Sequence, residues 1–153
     1  MATFLPDTSV IIDVLNNKRN RPALLLNLVK SGHVLACCPI NITEVYACLR
    51  PKEEAATEEL FPSLQHVPIT PPAARLAGEF KRDYSRKGKT LNLGDVIIAA
   101  VAIYIELTLL TDVKDFPMKS LLLYPLPIAY GRRNCGAWLC RKLSPVQFAL
   151  ELR

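Results

Sequence analysis

The chain has 153 residues, 19 Lys and Arg against 14 Asp and Glu, with half its residues hydrophobic and 22% charged. That apolar content excludes a disordered chain, which could not offset its ordering entropy, and six glycines exclude a collagen-like triplet repeat. The longest uncharged apolar run, Val96 to Ile105, is ten residues; a membrane span needs ~20, so a soluble chain with no membrane partner is expected.

Thr3-Phe4-Leu5-Pro6 reads as a strand that ends at Asp7 and turns into a helix carrying Val10, Ile11, Val14 and Leu15 at helical spacing. A second helix runs from Pro22 to Lys30 and stops at Gly32, and His33 to Cys38 is a buried strand closed by Pro39. Asn41 stands three residues before Glu44, the spacing of a capping box with Asn41 in the cap. An acidic helix follows from Lys52 to about Leu60, then an edge strand His66–Ile69, since Pro68 does not suit a central one. Pro71 and Pro72 start a helix with Ala74, Leu76, Ala77, Phe80 and Tyr84 on its apolar side, ending in a basic cluster before and after Gly88. Asn92-Leu93-Gly94-Asp95 opens a nearly all-apolar helix to Tyr104, which must be deeply buried. Thr108 to Thr111 is a strand followed at once by Asp112, and Leu121 to Tyr124 is the last strand.

Apolar strands alternating with helices predict a mostly parallel sheet covered on both faces. The alternation is complete by residue 127, so residues 1–127 form one domain and residues 128–153 a basic C-terminal extension of a different pattern. Residues 1–127 carry 14 basic and 13 acidic side chains, the extension five and one, so the overall positive charge belongs mostly to the extension. The five cysteines are an odd number without metal or redox spacing. Cys37, Cys38 and Cys48 lie among apolar residues and read as buried reduced thiols, which with the absence of a leader segment in Met1–Pro6 predicts a cytoplasmic protein. His33 and His66 are strand residues with structural roles.

In an open α/β sheet ligands bind beyond the carboxyl ends of the strands. Asp7 and Asp112 each lie one residue past a predicted strand, and Glu44 and Asp95 lie in the first turns of helices that begin at the same edge. Each has a local explanation: an N-cap for Asp7, a capping box for Glu44, a favourable helix-dipole charge for Asp95, a turn for Asp112. Brought together, however, four carboxylates repel one another unless a cation sits among them. All-oxygen ligation suits Mg²⁺ or Mn²⁺ rather than zinc.

The segments Pro6-Asp7-Thr8-Ser9-Val10-Ile11-Ile12-Asp13, Asn41-Ile42-Thr43-Glu44, Leu93-Gly94-Asp95-Val96-Ile97-Ile98-Ala99-Ala100 and Leu109-Leu110-Thr111-Asp112-Val113-Lys114-Asp115-Phe116-Pro117 resemble, in order, the motifs of PIN domains, closely those of VapC-type toxins. The resemblance runs from about residue 3 to residue 127. It implies a three-layer α/β/α fold around a sheet of four to five strands, and a Mg²⁺-dependent endoribonuclease in which Mn²⁺ can substitute. It also implies a cognate antitoxin partner and a homodimer. Asp7, Glu44, Asp95 and Asp112 fall on the family's acidic positions, as catalytic residues and metal ligands. Thr8, Ser9 and Asp115 take supporting roles, and Asp13 lies off the metal. Lys81, Arg82, Arg86, Lys87 and Lys89 are the candidates for contacting the RNA backbone, since the acidic site cannot itself attract phosphates. The rival readings are a catalytically silent PIN-fold module that binds RNA or protein, a phosphate-accepting receiver-type domain, and a metal-dependent DNA nuclease. The receiver pattern is poorly met, because no second acid adjoins Asp7 and none follows the strand at His66–Ile69.

Overall fold

The structure is a computed structural model that describes residues 1–111, 116–118 and 120–125. The predicted extension 128–153 and the acids Asp112 and Asp115 lie outside the described residues. The elements in chain order are β1 (Thr3–Pro6), α1 (Thr8–Leu15), α2 (Arg21–Lys30), β2 (Val34–Cys37), α3 (Pro39–Ala47), α4 (Glu54–Leu60), β3 (Gln65–His66), α5 (Pro71–Arg86), α6 (Leu93–Tyr104), β4 (Thr108–Thr111) and β5 (Leu123–Pro125). Single 3₁₀ turns at Pro51–Glu53 and Phe61–Ser63 flank α4.

All the strand pairs are parallel, in the order β3-β2-β1-β4-β5. Side chains along each strand alternate between two cores. Phe4, Leu35 and Leu110 pack with α1, α2 and α4 on one face. Leu5, Ala36 and Leu109 pack with α5 and α6 on the other. The predicted three-layer α/β/α architecture is what forms, with a sheet that is wholly parallel. No helix among the described residues is long and apolar enough to cross a membrane.

Three expectations are corrected. Helix α3 begins at Pro39 with Cys38 as its N-cap, so Asn41 is the third helical residue and its side chain bonds back to the Cys38 N–H at 2.9 Å. Pro39 decides this, because it suits a first helical turn, where its missing N–H costs nothing. Glu44 therefore falls in the second turn, with no capping duty. The edge strand is only Gln65–His66; Val67 N still donates to the Cys37 carbonyl at 2.9 Å, and Pro68, lacking an N–H, carries no further pairing. Cys48, at the end of α3, is exposed, whereas Cys37 and Cys38 are buried; burial pushes the Cys37 thiol up to about 12.

Candidate active site at the carboxyl edge of the sheet

The strand order runs outward from β1 through β2 to β3, then returns to place β4 on the other side of β1. That reversal makes a crevice at the carboxyl ends of β1 and β4, the topological position where α/β folds bind ligands. Asp7 sits there. Its backbone N–H donates to the Leu110 carbonyl at 2.9 Å, tying it to β4. The residue is only 5% exposed and its carboxylate is satisfied locally: one oxygen accepts the Thr8 N–H at 2.7 Å, the other the Ser9 hydroxyl at 2.7 Å. Thr111 Oγ1, one residue before Asp112, lies 3.5 Å from that second oxygen. Asp7 is thus the N-cap of α1 and lies at the mouth of the crevice at once. A buried carboxylate costs little only when hydrogen-bonded in this way.

Glu44 arrives from α3, which packs against both α1 and α6. Its Oε2 accepts the Thr8 hydroxyl at 2.5 Å, which links it to Asp7 through a single residue. Its Oε1 lies against Gly94, so close that a Cβ there would stand 2.1 Å away. Asp95 is the next residue, half-buried in the first turn of α6. The N-cap of that helix is Asn92, whose side chain accepts the Gly94 N–H at 3.0 Å, so Asp95 is not needed as the cap. Contacts through Thr8 and Gly94 therefore connect the segments bearing Asp7, Glu44 and Asp95. Asn41, fully buried, completes the cluster, with Nδ2 donating to Thr8 Oγ1 at 3.1 Å and to the Pro6 carbonyl at 3.3 Å.

Asp13 lies apart from this cluster, paired with Arg19 at 3.2 Å and 3.9 Å from the buried Arg21. In the basic cluster, Lys81 donates to the Leu91 carbonyl and braces the chain leading into Asn92. Arg82 lies 3.5 Å from Asp83, and the Lys87 ammonium stands 5.5 Å over the Tyr84 ring. Arg82, Arg86, Lys87 and Lys89 are exposed. His33 accepts the Ala2 N–H at 3.2 Å and His66 lies 2.9 Å from the Phe61 carbonyl, in structural roles.

The donor chemistry fits a hard divalent cation: the acids at this edge offer oxygen only, and Asp7 is held from within by Thr8 and Ser9. Among the described residues no three His, Cys, Asp or Glu side chains are gathered closely enough to hold an ion by themselves. Asn41 as a hub and Gly94 as a point of close approach were missed in the sequence. A signal for Gly94 was present: a glycine in the first turn of a helix otherwise built of apolar side chains.

The sequence pattern of the PIN domain matches residues 4–119. Ribonuclease VapC19 of Mycobacterium tuberculosis is 32% identical over 115 residues, 74% of this chain and 92% of that protein. Among solved structures, VapBC2 from Rickettsia felis bound to a DNA fragment from its promoter superposes with a TM-score of 0.69 at 23% identity, covering 81% of this chain and 98% of that one. A toxin–antitoxin complex from Klebsiella pneumoniae superposes with a TM-score of 0.62 at 24% identity over 82% of this chain and 100% of that one.

Proposed function

Because the chain belongs to the PIN-domain family, we propose that it is a metal-dependent endoribonuclease and the toxin of a toxin–antitoxin pair. The observation that carries this is the linkage of Asp7, Thr8, Glu44 and Gly94 beside Asp95 at the crevice between β1 and β4, in a chain similar to a named ribonuclease. Asp7, Glu44, Asp95 and Asp112 would hold Mg²⁺, with Mn²⁺ as substitute. When bound, that ion supplies an activated water and offsets charge on the phosphoryl oxygens. The chain's own residues do the rest. Ser9 and the Thr8 N–H orient the Asp7 oxygens, the Thr8 hydroxyl orients Glu44, and Asp115 would take a supporting role. Arg82, Arg86, Lys87 and Lys89, exposed at the end of α5, draw the RNA backbone toward an otherwise negative crevice. Lys81 contributes less there, since its ammonium is committed to Leu91.

The cognate antitoxin would close the crevice with an arginine, whose planar fork matches carboxylates, and the toxin would act as a homodimer in the cytoplasm. Cleavage of single-stranded RNA is expected with millimolar Mg²⁺ or Mn²⁺ and is expected to stop in excess EDTA; persistent cleavage in EDTA would defeat the metal mechanism. A catalytically silent PIN-fold module, the reading that an incomplete set of acids would favour, is the alternative, since fold alone does not fix function. It predicts RNA or protein binding that is indifferent to Asp7→Asn.

A further inference from the structure

The Glu44 carboxylate is gripped from two sides. On one side is Thr8, whose hydroxyl has one proton to give. The amide of Asn41 decides where that proton goes. The Cys38 N–H can only donate, and it donates to Asn41 Oδ1 at 2.9 Å. The NH₂ group must then face the Pro6 carbonyl and Thr8 Oγ1, at 3.3 and 3.1 Å. Toward Asn41 the Thr8 oxygen is therefore an acceptor, and its proton is left for Glu44 Oε2 at 2.5 Å. On the other side is Gly94, where a Cβ would stand 2.1 Å from Oε1 and 2.9 Å from the carboxyl carbon. Its φ is not positive, so the backbone does not ask for glycine, and in a helix alanine is otherwise preferred.

We infer that Asn41 and Gly94 are positioning residues for Glu44, Asn41 by directing the Thr8 proton and Gly94 by omitting the Cβ that would take the carboxylate's place. The seat deepens the ribonuclease reading, on which only its activity test rests. The cost of a helical glycine is the stability given up for a carboxylate held in one position beside Asp95. Preorganised ligands of this kind are fixed by the residues around them.

Two measurements on the full chain test this. The first is melting in EDTA, and needs neither metal nor RNA. Gly78 in α5 has open space where a Cβ would go, so Gly78→Ala, in a helix interior, should raise the melting temperature. Gly94→Ala should be less favourable to the melting temperature while Glu44 is present than when made together with Glu44→Ala, because displacing the carboxylate gives up its bond to Thr8. An equal shift in both backgrounds overturns the role of Gly94. The second measures the Mn²⁺ concentration giving half-maximal RNA cleavage. Asn41→Ala and Thr8→Val should each raise it about tenfold or more, the double variant no further than Thr8→Val alone, and Thr8→Ser should keep the wild-type value. If Asn41→Ala does not fold, Asn41→Ser replaces it, keeping a polar atom near the Cys38 N–H but too short to reach Thr8. An unchanged Mn²⁺ requirement, or effects that multiply in the double variant, overturns the role of Asn41. A wild type that cleaves no RNA at any Mn²⁺ concentration defeats the ribonuclease reading instead, and leaves the melting test of the seat standing.

Discussion

Asp95 is the residue at which a favourable helix charge and metal ligation make different demands. Asn92 already caps α6, so if Asp95 only favours the helix dipole, Asp95→Asn changes stability by a few tenths of a kcal/mol. If it shares a metal site with Asp7, Glu44 and Asp112, the metal-free protein carries repulsion among them. Removing one charge should then leave the apo protein as stable or more stable, by roughly 0.5–2 kcal/mol. The same change should erase most of the rise in melting temperature that millimolar Mg²⁺ gives the wild type, because only ligand bound to the folded state stabilises it. Cleavage should be lost as well. Melting with and without Mg²⁺, alongside RNA cleavage, measures all three. An Asn variant that keeps full activity and full Mg²⁺ stabilisation removes Asp95 from the site.

At the scale of elements, α5 does two jobs. Its apolar side packs on α6, and its last turns brace the segments around the crevice: Lys81 holds the Leu91 carbonyl and the Tyr84 hydroxyl donates to the Pro117 carbonyl at 2.9 Å. Lys81→Met should therefore lower the melting temperature and leave the salt dependence of RNA binding unchanged. Arg86→Met should do the reverse, reducing the slope of log affinity against log salt by about one, as loss of one phosphate contact does. Binding titrations over a salt series separate them. The turn before α4 supplies a pH dependence. Hydrogen bonding from Arg50 holds the Glu53 carboxyl below its ordinary value of 4.5. A carboxyl lower in the folded than in the unfolded chain contributes stability that is whole above the unfolded value and fades as pH falls through the folded one. Glu53→Gln should thus melt below the wild type at neutral pH, and the gap should close as the pH is taken below 4.5; a gap constant with pH would show that the charge is not its source.

At the scale of the molecule, the PIN pattern ends at residue 119 and the last strand among the described residues at Pro125. Removing residues 128–153 should leave a cooperative melt and metal-dependent cleavage intact. The alternative is a helix from Pro145 to Leu152 whose Val146, Phe148, Ala149, Leu150 and Leu152 would cover part of the core or a dimer surface. A truncated protein that aggregates or melts without cooperativity would establish that alternative.

Sequence alone determined most of the elements and the edge on which Asp7 lies. Strand and helix periodicities are local, so the apolar runs at Thr3–Pro6 and Thr108–Thr111 and the cap at Asp7 could be read directly. A parallel sheet then sends every strand end, and with it Asp7, to one side. The tertiary structure alone decided what those residues touch. Asn41 and Thr8 are 33 residues apart and Thr8 and Glu44 are 36 apart, and their meeting depends on how α3 lies between α1 and α6. No short-range pattern encodes that placement. The same holds for Gly94, whose missing side chain acquires meaning only when Glu44 packs against it. It holds also for Lys81, one charge in a basic cluster until the fold brings the Leu91 carbonyl within its reach. Periodicity reports which face of an element is buried; which atom meets which is set by the packing of elements distant in the chain.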